Sequence, residues 1–263
     1  MKNLKEHNHI NRIGILLLLI CFILAAFTNP SLAQDDGAAW LKKIDDAERI
    51  THSYAVVKQT ITTSGGSERT LTMKSWSDEN GDVSLMVYTA PPRVKGDKIL
   101  QRDGGDNIWY YMKRRDVTRH FAGHTRRQSA MGSDFSYEDM ATGSMTEDYT
   151  AELVGLEEVD KIDCVKLKLI PTETGPSYNH LIIWAGKDDA LSRKIEYYDD
   201  EGLLKTLYLI DFREIEDRKV SFRMEMKNHR ESSRTVMEYE SVTFAKKPEK
   251  WMFTKDGLTR EIK

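Results

Sequence analysis

The sequence predicts a mainly β (α+β) protein, an open or incomplete antiparallel β-barrel of about eleven or twelve strands capped by a few helices. Three observations carry this reading. Short segments in which apolar and polar residues alternate with period two recur at spacings of roughly 8–15 residues. The stretches Ser64-Gly65-Gly66-Ser67, Asp103-Gly104-Gly105-Asp106 and Asp199-Asp200-Glu201-Gly202 separate such segments and put glycine where a hairpin needs positive φ. Helical periodicity is concentrated near the start, so the strand–helix alternation of a parallel sheet is missing. A sheet of this many strands curls under its own twist.

Composition narrows the class. Of 263 residues 40% are hydrophobic and 31% charged, too polar for a multi-span membrane protein and large enough for a core. The 39 basic and 42 acidic residues nearly balance, and nucleic acid is not an expected partner. Lys2, Lys5 and Arg12 precede an apolar run of 13 residues, 15–27, that ends in Asn29-Pro30-Ser31-Leu32-Ala33. The run is shorter than the roughly 20 residues of a membrane-spanning helix and has the pattern of a secretory signal peptide, with cleavage expected before Gln34. An uncleaved anchor is the alternative. Lipidation of Cys21 is rejected, because the preceding residue, Ile20, is not small. The rest, 34–263, reads as one exported domain. It keeps one cysteine, Cys164, and so has no internal disulfide.

The elements follow in order. Asp35 and Asp36 can cap a helix with Trp40, Leu41, Ile44 and Ala47 on one face. Strands are expected at 53–63, 68–77, 83–89, 98–102 and 107–113, with Pro91-Pro92 ending the third. Polar residues 114–131 interrupt the sheet. A short helix is expected around 136–142, because Ser136-Tyr137-Glu138-Asp139 has the spacing of a capping box. Strands resume at 149–156, 161–170, 178–185, 191–198, 203–212, 219–227 and 233–244, and 251–258 closes the chain as a helix.

The alternation says which face is inside. Val220, Phe222, Met224 and Met226 oppose Ser221, Arg223, Glu225 and Lys227, and Val165, Leu167 and Leu169 oppose Lys166 and Lys168. Leu203, Leu207 and Leu209 oppose further apolar residues, Leu204, Tyr208 and Ile210, which predicts burial on both faces or a covering helix. A barrel of this size holds its own side chains, a helix or a ligand, and the few helices can plug part of its mouth. Met73, Trp109, Leu167, Leu169, Phe222, Met224, Met226 and Met237 are the candidate lining of a lipid-binding cavity. Methionine adapts to acyl chains of variable shape, and Trp109 suits a wet–dry boundary. A packed core with methionine filling gaps fits the same pattern equally well.

No catalytic constellation is present, and no enzyme, metal or cofactor is expected. His120 and His124 lack the glutamate of a zinc-protease motif, and Gly123 weakens any helix between them. Asp134, Glu138 and Asp139 are explained by a helix cap and its dipole rather than by a metal or acid–base role. Cys164 has no paired base in view. Lys113, Arg114, Arg115, Arg119, Arg126 and Arg127 stand against Asp116 alone in 113–127. A solvated face is the plain reading of this run; docking on anionic headgroups or an acidic partner is the functional one.

Four strings share one pattern: Pro91-Pro92-x-x-Lys95-Gly96-x-x-Ile99-Leu100, Trp109-Tyr110-Tyr111, Met131-Gly132-Ser133-Asp134-Phe135-Ser136-Tyr137-Glu138-Asp139, and Tyr197-Tyr198-Asp199-x-x-Gly202-x-x-Lys205. With them the chain resembles the outer membrane lipoprotein-sorting protein family, relatives of the periplasmic lipoprotein carrier of Gram-negative bacteria. The third string is the most specific. The resemblance implies a lipoprotein-carrier-like open barrel around an apolar cavity, without catalytic residues. It also implies a monomer whose partners are lipoprotein acyl chains or other envelope lipids, an inner-membrane lipid exporter and, transiently, a membrane surface. None of the carrier's cargo-transfer residues matches a position here. The alternative is a non-enzymatic accessory module of an envelope lipid exporter, with a filled core and a basic docking loop.

Overall fold

In the computed structural model, which describes residues 30–78, 81–140, 144–172, 178–245 and 247–262, the period-two segments pair into one antiparallel sheet of 13 strands. Residues 1–29 of the expected signal peptide lie outside the described residues. One wing holds β1 (Ser53–Thr62), β2 (Glu68–Asp78), β3 (Val83–Ala90), β4 (Lys98–Arg102), β5 (Asn107–Met112) and β6 (Val117–Phe121). The other holds β7 (Tyr149–Val159), β8 (Ile162–Pro171), β9 (His180–Gly186), β10 (Ser192–Asp199), β11 (Gly202–Ile215), β12 (Arg218–Asn228) and β13 (Ser233–Thr243). Within each wing neighbours in sequence are neighbours in space. The first strand pairs with the last, Thr60 opposite Val236, and this seam joins the wings. The sheet's edges are therefore β6 and β7, and the barrel stays open between them.

Much of the interior is apolar because alternate residues of strands such as β1, β2 and β8 turn inward. Val57, Leu71, Met73, Ile99, Ile108, Leu167, Ile183, Leu207 and Met226 meet there as one buried cluster. Helix α1 (Pro30–Glu48) adds Leu41 and Ile44 and packs on β7. It begins upstream of Asp35 and Asp36, so these acids lie within the helix and do not cap it.

Four expectations are corrected. Residues 117–121, read as part of a polar interruption, form the edge strand β6. Four of its five side chains are exposed, so backbone pairing with β5 holds it and no hydrophobic period marks it. No helix forms at 136–140, the described part of the expected 136–142; the helix of this region is α2 (Met145–Asp148). The C-terminal segment is not a helix in the mouth. Its two 3-10 turns, Lys250–Phe253 and Asp256–Leu258, cover the outer face of β3–β5, where Met252, Phe253 and Leu258 pack on Leu85, Leu100, Trp109 and Tyr111. Lys98 ties this segment down through the Arg260 carbonyl. Leu203 and Ile210 are 37% and 38% exposed, so no helix covers that side of β11.

The docking of α1 depends on a missing side chain. A Cβ at Gly37 would stand 2.4 Å from the carbonyl oxygen of Ala151 on β7, a backbone atom that cannot swing aside. Gly37→Ala is expected to displace α1 and to lower stability by roughly 1–3 kcal/mol in chemical denaturation. An unchanged midpoint would mean that the close approach contributes nothing.

Candidate functional site

Between β6 and β7 the chain does not run around the outside. Residues 122–140 and 144–148 form a strap through the interior in which Ala130, Phe135 and Tyr137 are buried. Both wings hold it. From the first wing, Arg69 of β2 donates to the Met131 carbonyl at 2.5 Å, Gln101 of β4 reaches the Tyr137 carbonyl at 3.4 Å, and Phe121 of β6 stacks on Tyr137 at 4.6 Å. From the second, the Asp134 carboxylate accepts from Thr235 at 2.6 Å and from Ser233 of β13, and Asp139 forms an ion pair with Lys205 of β11. At the strap's end Asp45 of α1 accepts the Met145 N–H at 3.0 Å and so caps α2.

The pair is deeply buried, with side-chain exposures of 5% for Lys205 and 1% for Asp139. Tyr178 donates to Asp139 at 2.6 Å, and the rings of Tyr178 and Tyr197 each lie 5.2 Å from the Lys205 ammonium, within cation–π reach. Burial, reinforced by the nearby Asp139 charge, holds both tyrosine hydroxyls well above their usual range. Burial and then Asp139 also raise the Glu138 carboxyl. Ser136 and Asp139 exchange the two bonds of a capping box, Ser136 N–H to Asp139 at 2.6 Å and Asp139 N–H to Ser136 at 3.2 Å. They close an isolated turn rather than start a helix.

The strap divides the lumen. Ser133, Asp134, Ser136 and Glu138 face a polar cavity of about 810 Å³, which Arg127, Asp199, Asn228 and Glu231 also border. Phe135, Asp139 and Met140 face a second cavity of about 570 Å³. Lys205 lines the first and Asp139 the second, so their ion pair is part of the dividing wall. The second cavity has an apolar floor of Val57, Phe135, Tyr239 and six methionines: Met73, Met86, Met140, Met145, Met224 and Met237. Its size falls within the roughly 300–1,000 Å³ of ligand sites.

Of the eight expected lining residues, Met73, Met224 and Met237 reach this cavity. Leu167, Leu169 and Met226 are packed in the core around it. Phe222 is buried and meets Tyr239 of the cavity wall edge-on at 6.0 Å. Trp109 is corrected to the outer face, where it stacks on His120 at 4.8 Å beneath Lys255; its neighbours Ile108 and Tyr110 take the inward positions of β5. The basic run divides too. Arg114 and Arg115 are exposed in the β5–β6 turn, Arg119 is exposed on β6, and Arg127 borders the polar cavity. Arg126 is not free to dock: it is 16% exposed, paired with Asp106 at 2.8 Å and bonded to the Gly105 carbonyl. Periodicity could not find Met140 and Met145, since both lie on the strap.

An open antiparallel barrel with a strap through its lumen and an apolar cavity beside it defines the lipoprotein-carrier class of folds. Three solved structures share it. A DUF1329 family protein from Desulfovibrio piger is 26% identical, with a TM-score of 0.80 over 86% of this chain and 99% of that one. A domain from Vibrio parahaemolyticus described as an outer membrane lipoprotein-sorting protein is 24% identical, with a TM-score of 0.81 over 86% of this chain and all of the other. A LolA-superfamily protein from Nitrosomonas europaea is 21% identical, with a TM-score of 0.71 over 84% and 99%. The model of a family described as "Uncharacterized protein" matches residues 80–260, and the chain belongs to that family. No curated protein matches it.

The wall is open to test. Asp139→Asn leaves the Lys205 ammonium buried without its counter-charge and is expected to lower stability by roughly 3–5 kcal/mol. Adding Lys205→Met should restore part of the loss, giving a non-zero coupling in a double-mutant cycle. Strictly additive losses would remove the pair as the strap's anchor.

Proposed function

We propose that this protein is a periplasmic carrier that shelters the acyl chains of a lipoprotein or another envelope lipid in the methionine-lined cavity and passes them between envelope membranes. The observation that carries the reading is the 570 Å³ cavity with six methionines on its wall. Unbranched thioether side chains re-pack around chains of different length and shape at small cost. The driving force is burial of the cargo, about 0.8 kcal/mol per methylene. The neighbours' fold supports the reading, as does the lipoprotein-sorting description attached to the Vibrio domain. Donor and acceptor are an inner-membrane exporter and a membrane surface, met transiently by a monomer. The exposed Arg114, Arg115 and Arg119 are the groups suited to that contact, each cation contributing about 1 kcal/mol at an anionic surface.

A second reading has its own support. Leu41, Ile44, Phe135 and Tyr137 already occupy much of the lumen, as an accessory module of a lipid exporter with a filled core would require. Lipid uptake separates the two. Met224→Glu puts a carboxylate on the cavity floor and is expected to abolish acyl-chain uptake while circular dichroism stays native. Uptake that survives in the folded variant would assign the cavity another role.

A further inference from the structure

The methionine cavity is ringed unevenly by charge. Five carboxylates line it, Asp45, Glu48, Asp82, Asp139 and Glu147, against one guanidinium, Arg49. Some of this negative charge is internally compensated. Asp139 pairs with Lys205, Asp45 lies 3.4 Å from Arg49 and accepts the Met145 N–H, and Glu48 accepts the Ser192 N–H at 2.7 Å. Asp82 and Glu147 are different: both are exposed, and neither carboxylate has an ion-pair partner among the described residues. One precedes β3 on the barrel wall, the other lies on α2 of the strap, so they approach the cavity from two independent elements.

The exposed cations of the β5–β6 turn do not offset them. Strand register places Ser53, Ser77 and Ser84, of which all three line the cavity, at one end of the paired strands. The β5–β6 turn that carries Arg114 and Arg115 lies at the other end, beyond the Lys98–Tyr111 pair. An acyl chain seated on the methionines therefore leaves its polar end among unbalanced carboxylates beside a low-dielectric wall, where a charge is felt more strongly than in open water.

We propose that the cavity selects acyl cargo whose polar end carries positive charge and discriminates against anionic lipids. This inference rests on the carrier reading of the cavity. Apolar floor and acidic rim are separate observations: the floor sets that a chain binds, the rim sets which head is tolerated.

The test is displacement of a fluorescent acyl reporter from the purified protein by three dodecyl amphiphiles, below their micelle concentrations, with trimethylammonium, maltoside or phosphate heads. The trimethylammonium compound is expected to bind about tenfold or more tighter than the phosphate, with the maltoside between, and added salt should narrow the gap. In the D82N/E147Q variant the gap should fall to within about twofold. Equal affinities for the two charged heads, or tighter binding of the phosphate, would overturn the inference while maltoside binding kept the carrier reading alive. A gap that persists unchanged in D82N/E147Q would overturn the assignment to this rim. Failure of all three amphiphiles, the uncharged one included, would overturn both the inference and the carrier reading.

Discussion

Lys205 places a buried ammonium group beside a cluster of Ile, Leu, Val, Met and aromatic side chains, and Asp139 is what makes that position tenable. Taking either charge out of water alone costs several kcal/mol, and their mutual attraction offsets the cost only where geometry and additional hydrogen bonds are good. Here they are supplied: the Tyr178 hydroxyl and the Ser136 N–H both donate to Asp139, and two aromatic faces stand beside the ammonium. Such a pair adds little net stability over an apolar contact of the same shape. Its effect is on position, since a strap shifted by one residue would leave two buried charges uncompensated. The remainder of the lumen is organised around that fixed point.

Because the strap is held by β2, β4, β11 and β13, it also joins the two wings of a sheet whose edges do not meet. A meander of this kind can open at the β6–β7 gap without breaking any strand pairing. Movement there pulls on Arg69 and Gln101 from one side and on Thr235 and Lys205 from the other. Six residues of the strap wall the two cavities between them, Ser133, Asp134, Ser136 and Glu138 the polar one and Phe135 and Asp139 the methionine one. Reshaping the methionine cavity from the strap side therefore means breaking the ion pair, whereas reshaping it from the floor needs only methionine rotamers. The rigid part of the site is the ion pair, and the adaptable part is the methionines, four on the strands of the barrel and two, Met140 and Met145, on the strap.

How much of this was legible in the sequence depended on whether a residue's surroundings were local. Strands β1, β2 and β8 have one wetter and one drier face, so their alternation marks inside and outside, and Met73 was found that way; on β12 Ser221 and Glu225 of the polar parity are buried too, yet the parity of the apolar residues still led to Met224. In β5 the run Ile108-Trp109-Tyr110-Tyr111 is apolar on both faces because a segment more than a hundred residues away covers the outer one; parity could not say which ring faced in, and Trp109 was misplaced. β6 has solvent around most of its side chains and so carries no period. The capping-box spacing at 136–139 predicted the two reciprocal bonds correctly and the helix wrongly, since those bonds satisfy any tight turn with that geometry. The most specific string of the chain was visible from the start, but Asp139 and Lys205 lie 66 positions apart, and nothing local pairs them.

That last point changes what the strings mean. Asp134 and Asp139, acids of a type that also serves catalysis, are engaged by Ser233, Thr235, Lys205 and Tyr178 inside the protein; Tyr197 and Lys205 are the receiving side of the same joint. Two of the four strings through which the chain resembles a carrier family, 131–139 and 197–205, therefore build the wall, and the six methionines of the second cavity lie outside all four strings. A wall must be built one way, because buried polar groups tolerate few arrangements, while a floor for acyl chains can be met by many combinations of flexible apolar side chains. The strings of the wall therefore report the barrel geometry, and the floor is free to differ. On the proposed carrier reading, cargo is set by the floor and the charge at its rim, not by the strings that identify the fold.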